Sequence, residues 1–285
     1  MPLHVLLACH NRRALTVRAI TTFARAAKAA GADADFTVFD DGSTDGTAEA
    51  LAALDLPVVR IVGDGSAFWS RSMAEAEAYV LHACDDDGYV VWLNDDVELD
   101  GDFLEVALAA AKSVPAAILV GAMRDPGTGQ LSYSGHRSGG IHPLKLVPVE
   151  PNGTLQSIDT FNGNLVLVPM RIARELGGID GLLSHFGADT DYGFRAGERG
   201  FKVLLLPRFV GSCAQNPVRP PGAVMDDWRA FVGVKGGGNY NTLRRILQKT
   251  HPNTWSVYIA VTYSLWWARR LANLRRSVLV RSRRR

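Results

Sequence analysis

Phe36-Thr37-Val38-Phe39-Asp40-Asp41-Gly42-Ser43-Thr44-Asp45-Gly46-Thr47 is the stretch on which the reading of the fold turns. An apolar run ends in two acids, rounds a Gly-Ser-Thr corner and enters a helical stretch at about 46–54. Strand, turn and helix follow one another directly. Outward from it the same succession recurs. Apolar runs stand at 3–8, 57–62, 89–94 and 117–121, and alanine-rich helical stretches lie between them at about 14–30, 70–84 and 101–112. The βαβα order predicts an α/β protein with a mostly parallel sheet flanked by helices. Ligands of such sheets sit at the carboxyl ends of the strands.

Those ends carry acids and glycines. Gly63-Asp64-Gly65-Ser66 follows the third run and Asn94-Asp95-Asp96 the fourth. Residues 122–160 are rich in Gly, Pro and Ser, which suits an irregular or β-hairpin insertion. Regular signals resume with Asn164–Pro169, a helix near 171–176, a helical stretch at 189–199 and a strand at 201–206. Hydrophobic residues make up 47% and charged residues 21% of the 285, which excludes a disordered or fibrous chain. Cys9, Cys84 and Cys213 form no CxxC pair, so neither a disulfide framework nor a thiolate zinc site is expected. No basic n-region precedes the first apolar run, and no secretory signal is expected.

Turn chemistry accounts for Ser43, Thr44 and Asp45. It accounts less well for Asp40, which ends a strand where a carboxylate can accept from a nucleobase or ribose. For Asp40 both readings stay open. Asp95 and Asp96 follow Tyr89–Leu93, an apolar strand. Adjacent buried carboxylates repel, and a hard divalent cation removes that cost. Asp189-Thr190-Asp191-Tyr192-Gly193-Phe194-Arg195 opens a helix, where acids suit the dipole. Asp191 can pair with Arg195 four residues on, leaving Asp189 for general base work.

In this order the clusters resemble family 2 glycosyltransferases of the GT-A (Rossmann-like) fold, over about residues 3–216. Asp40–Thr47 is similar to that family's D-x-G-S-x-D-G-T turn, Asn94-Asp95-Asp96 to its DxD-like motif, and Gly177-Gly178-Ile179-Asp180 with Gly187–Asp191 to its G-G-F-D … E-D-x-D segment. The resemblance implies an inverting, Mn²⁺- or Mg²⁺-dependent transfer of a sugar from a nucleoside diphosphate sugar to a hydroxyl of a glycan or lipid-linked acceptor, in cell-surface polysaccharide synthesis. It implies Ala8, Cys9, Asn11 and Arg12 in the first nucleotide-binding loop, Asp40 on the base or ribose, Asp95 near the ribose, Asp96 on the metal and Asp189 as the base. Asp191 and Arg195 belong beside the base or acceptor. Gly63–Met73 resembles a stretch of bacterial rhamnosyltransferases, with Arg71 and Ser72 in place of two glycines. That likeness makes Asp64 and Arg71 candidate donor contacts and Trp69 an acceptor-side candidate, with a dTDP-rhamnose donor first and UDP-galactose or -galactofuranose next.

Three departures matter. Ala188 replaces the usual glutamate before the base. The histidine that many members place after the last core strand is absent from Gly211–Asn216, and His251 is a distant substitute. No Q-x-x-R-W motif occurs, which favours addition of one or few sugars.

The tail has its own character. All 29 acids lie at or before Asp227, whereas 13 of the 31 Lys and Arg follow it. Trp255–Ala268 is apolar and aromatic, and eight arginines follow from Arg269. The expected division is a catalytic domain over 1–225 and a helical extension over 226–285. The extension can pack on the catalytic domain, form a homo-oligomer, or lie on an anionic membrane. The last is preferred, which puts the protein in the cytoplasm at the inner face of the cell membrane. No nucleic-acid motif accompanies the arginines. Two rival functions are a sugar nucleotidyltransferase, whose basic glycine-rich phosphate loop is missing from Ala8–Arg13, and a non-catalytic sugar- or membrane-binding module.

Overall fold

The computed structural model describes residues 1–85, 87–183, 187–217, 220 and 222–282. The chain runs β1 (Pro2–Cys9), α1 (Arg13–Ala29), β2 (Asp33–Asp40), α2 (Thr47–Ala52), β3 (Val58–Val62), α3 (Phe68–Ala83), β4 (Tyr89–Leu93), β5 (Glu98–Leu99), α4 (Phe103–Ser113) and β6 (Ala117–Arg124). The insertion holds β7 (Leu131–Tyr133), β8 (Gly135–Ser138), β9 (Leu146–Pro148), β10 (Gln156–Ser157) and β11 (Thr160–Phe161). Then follow β12 (Leu165–Pro169), α5 (Met170–Leu176), α6 (Ala188–Glu198), β13 (Lys202–Ser212), α7 (Val224–Val232), α8 (Tyr240–Thr250) and α9 (Trp255–Ser282).

The main sheet has the order β10-β13-β6-β12-β4-β1-β2-β3. β3, β2, β1 and β4 run parallel, with Cys9 beside Asp40 and Leu6 beside Trp92. Because the chain moves from β1 to β2 on one side and reaches β4 on the other, a topological switch lies between β1 and β4. A crevice opens at such a point. β12 enters antiparallel between β4 and β6, pairing Leu165 with Leu93. That reversal carries Asn162–Asn164 to the same edge as Asn94–Asp96.

Side chains alternate across the strands with period two. Leu3, Val5 and Leu7 of β1 and Val91 and Leu93 of β4 join the core under α1 and α4. Leu6, Val90 and Trp92 point the other way, under α3, α5 and α6. α8 belongs to this second core through Ile246, and its Leu243 and Leu247 meet Ile259 of α9. The insertion forms a small sheet, β11-β8-β9. Among the described residues no helix is long and apolar enough to cross a membrane.

Candidate active site

A cleft of about 800 Å³ opens at the switch point. Of the residues marked by the sequence, Ala8, Cys9, Arg12, Trp69, Asp95, Asp96 and Asp189 line it. Three distant segments therefore converge there: the loop after β1, the loop after β4 and the start of α6.

Asp95 is 3% exposed, and its Oδ1 accepts from Arg12 Nη1 at 2.8 Å. Its Oδ2 is buried without a hydrogen-bond partner among the described residues. Burial pushes this carboxyl up to about 6, against the pull of Arg12. The same Arg12 nitrogen donates to Asp96 Oδ2 at 3.1 Å. Cys213 follows β13, in the segment where the resemblance places a histidine, and its thiol lies 3.7 Å from Asp96 Oδ1. Burial, then Asp96, push that thiol up to about 12. Its S–H is placed to donate weakly to Asp96 Oδ1. His251 sits against Tyr258 of α9, outside the cleft.

The donor set suits a hard cation. Asp96 is half-exposed, and the neighbouring Asp95 Oδ2 is buried without a partner among the described residues, so this end of the cleft offers oxygen donors. Among the described residues no group of three or more His, Cys, Asp or Glu is placed to hold a metal. Mg²⁺-type sites commonly use one or two carboxylates and fill the remaining positions with water and phosphate oxygens.

Asp189 opens α6 behind Gly187, whose φ of +98° sets the entry to the helix. Its Oδ1 accepts from the Thr190 amide at 2.7 Å and its Oδ2 from the Gly163 amide at 3.3 Å. Burial pushes it up to about 6, which these amides partly offset. Such a carboxylate is poised near neutrality to take a proton. Gly163 must be glycine, because a Cβ there would lie 2.9 Å from the Trp69 ring. Trp69 in turn packs edge-on against Trp92 and donates Nε1–H to Asn94 Oδ1 at 2.8 Å. It is a core aromatic and a wall of the cleft at once.

Asp40 does not face the cleft. It is fully buried, accepts from Ser43 N at 3.0 Å, and pairs with Arg60 at 2.8 Å. Arg60 lies opposite Val38, on the face of β2 that Asp40 shares. Asp41, one residue on, lines the cleft and accepts from the amides of Gly65, Ala67 and Phe68. Asn11 also lies off the cleft. With φ +52° it clamps the turn, accepting from Thr44 N at 2.8 Å. Asp64 is exposed and caps its own turn at Ser66. Arg71 is exposed on α3 near Glu75 and does not reach the cleft. Asp191 and Arg195 form the expected pair at 2.7 Å but turn into the protein. Arg195 continues to the carbonyls of Leu176 and Gly178, and Lys249 of α8 binds Asp191 at 2.7 Å. These two hold α6 in place instead of touching the cleft.

Several lining residues carried no readable signal. Asn162 and Asn164 arrive only because β12 is antiparallel. Lys235 comes from the glycine-rich link between α7 and α8 and lies 5.8 Å from the Phe68 ring centre. A lone lysine among glycines, Val234-Lys235-Gly236-Gly237-Gly238, was its one visible sign.

The family model described as Glycosyl transferase family 2 matches residues 4–165. The chain belongs to this family. Solved structures agree on the fold. A mannosyltransferase of Pyrobaculum calidifontis, PcManGT, solved with GDP-Man and Mn²⁺, is 15% identical with a TM-score of 0.52, over 80% of this chain and 59% of its own. GalNAc-T7, solved with UDP, GalNAc and Mn²⁺, is 14% identical with a TM-score of 0.59, over 87% of this chain and 48% of its own. Residues 1–349 of TarS from S. aureus, with UDP-GlcNAc, are 12% identical with a TM-score of 0.55, over 90% of this chain and 76% of that one. The chain thus spans about half to three-quarters of these solved chains, and 44% of the longer TarS structure. A search of curated protein sequences returns no significant match. The chain shares the GT-A architecture of these structures, and Asp95, Asp96 and Asp189 all line its cleft.

Proposed function

We propose that the protein transfers a single sugar from a nucleoside diphosphate sugar to an acceptor hydroxyl, with inversion at the anomeric carbon. One observation carries this reading: Asp189, held near neutrality, shares a cleft with Asp95 and Asp96. The acceptor oxygen attacks the anomeric carbon while its proton passes to Asp189. The bond from that carbon to the diphosphate oxygen breaks, and the electron pair leaves with the nucleoside diphosphate. One base and one displacement give the inverted product.

Mn²⁺ or Mg²⁺, as in the Mn²⁺ complexes of PcManGT and GalNAc-T7, would offset the charge on the departing diphosphate. Asp96, with the neighbouring Asp95, would hold that ion. Arg12 orients both carboxylates. Trp69 and the Gly163 amide fix the floor on which the sugar rests. The Phe68-Trp69 segment favours dTDP-rhamnose, then UDP-galactose or -galactofuranose. The acceptor is a glycan or lipid-linked saccharide of the cell surface, reached from the cytoplasmic face of the membrane. α9 supports this location, since Val257, Val261 and Leu271 remain exposed beside the arginines.

Incubation with Mn²⁺ and a panel of nucleotide sugars tests the reading. Release of nucleoside diphosphate from one donor, abolished by chelator and restored by Mn²⁺, is the expected result. Failure of every donor in the presence of a saccharide acceptor mixture would refute it.

A further inference from the structure

A second cleft, of about 850 Å³, lies beside the first. The extension builds most of it. Phe231 of α7, Ile246 of α8 and Leu265 and Trp266 of α9 face Leu144 and Leu146 of the insertion. Its volume is within the roughly 300–1,000 Å³ typical of small-molecule sites. The wall is apolar, yet Lys145 and Arg269 also line it, and neither has an ion-pair partner among the described residues. Asp227, the acid that lines it, is taken by Arg270 at 2.8 Å. The local surplus is therefore positive, with hydrocarbon-like surface beneath.

This cleft abuts the base. Thr190 lines it, and the Thr190 amide donates to Asp189 Oδ1 at 2.7 Å. Gly187 lines the first cleft, and a Cβ on it would come within 2.9 Å of Ile246 and 3.0 Å of Thr242, both of which line the second. One residue of thickness separates the two.

From this we infer that the second cleft binds the alkyl phosphate portion of a lipid-linked acceptor, placing the saccharide it carries at Asp189. The inference rests on the glycosyl-transfer reading and names the acceptor class for it. The apolar wall takes the chain, and Lys145 and Arg269 take the phosphate. A free glycan would need neither. A protein segment or second copy would satisfy the apolar wall and leave the cations without a partner.

The test uses 12-bromododecyl phosphate, whose bromine quenches nearby tryptophan. Because Trp266 lines the cleft, saturable quenching is expected, and Trp266→Phe should remove most of it. Combined Lys145→Glu and Arg269→Glu should weaken the apparent affinity at least tenfold, and the neutral 12-bromododecanol should bind as weakly as that variant. Nucleotide binding with Mn²⁺ should be unchanged in the variant, which also shows that it is folded. Equal quenching by the alcohol and the phosphate, or by parent and charge variant, would overturn the inference. So would displacement of the probe by monomeric short-chain phosphatidylglycerol at equal phosphate, which would assign the cleft to bulk lipid. Affinity that falls as protein concentration rises would assign it to a second copy and overturn it too. If donor turnover is present and saturable quenching absent, this inference alone fails. If no nucleotide sugar turns over yet quenching saturates, it is the glycosyl-transfer reading that fails.

Discussion

Asp189 is the residue whose replacement speaks most directly. Asp189→Asn keeps the shape of the side chain and the shorter amide contact, from Thr190, gives up the longer one from Gly163, and removes the carboxylate that would accept the proton. Turnover should fall by about 10²–10⁴, the usual worth of a general base, while nucleotide affinity with Mn²⁺ stays within about twofold. In the proposed role the carboxylate acts ionised, and its folded value is about 6, so kcat should rise with pH through about 6 and then level. Stability should move the other way. Asp95 and Asp189 are both raised from 3.8 to about 6 in the folded protein. Between those values the native state holds more protons than the unfolded one, so stability declines as pH climbs from about 4 to 6. Urea titrations across that window, beside a kcat–pH profile, check both signs. Asp40 provides the contrast. Asp40→Asn breaks the pair with Arg60 and should cost about 1.5–3 kcal/mol of stability with little change in nucleotide affinity, read by urea melts and calorimetry. The sequence points to Asp40 at the end of β2 as the contact, whereas its neighbour Asp41 is the one that lines the cleft. Strand alternation decides that, and Arg60 decides where Asp40 goes.

At the scale of elements, the runs that were bold in the sequence became β1, β2, β3, β4 and β6 with the helices between them. Each was legible because an apolar face repeats locally. β12 read equally well as a strand, but its antiparallel direction did not, since direction depends on which neighbours remain unpaired when it docks. The tie from α8 to α6 was likewise hidden: Lys249 lies far along the chain from Asp180 and Asp191, which it binds at 2.6 and 2.7 Å. α6 also contains a test of packing against propensity. Gly193 sits inside the helix, where alanine is ordinarily better by about 1 kcal/mol. A Cβ there would stand 2.6 Å from Thr160 Cα, a backbone atom that cannot step aside cheaply. Overpacking costs about 1–3 kcal/mol, so Gly193→Ala should destabilise despite its helical preference. A lowered urea midpoint with an unchanged slope is the expected reading, and a raised midpoint would show that β11 yields.

For the whole molecule, the division of charge is the fact that local structure does not explain. The acids end at Asp227 and 13 bases follow. One side of the extension is committed to the protein through Leu243, Ile246, Leu247 and Ile259. Its other side offers Val257, Val261 and Leu271 to the surroundings. A helix that is apolar outward and followed by arginines suits the interface of an anionic bilayer better than bulk water. Each Lys or Arg near such a surface contributes about 1 kcal/mol. Six of the arginines lie beyond residue 272, and their removal spares every buried contact just named. A chain ending at 272 should therefore fold and turn over a soluble acceptor like the parent, yet bind phosphatidylglycerol vesicles at least tenfold more weakly. The parent's binding should also fall steeply with salt, because exposed charges act over about 10 Å at 0.1 M and about 3 Å at 1 M. Vesicle flotation at both salt concentrations separates this from an oligomer held by the aromatic run, which would keep its affinity at high salt and ignore the headgroup.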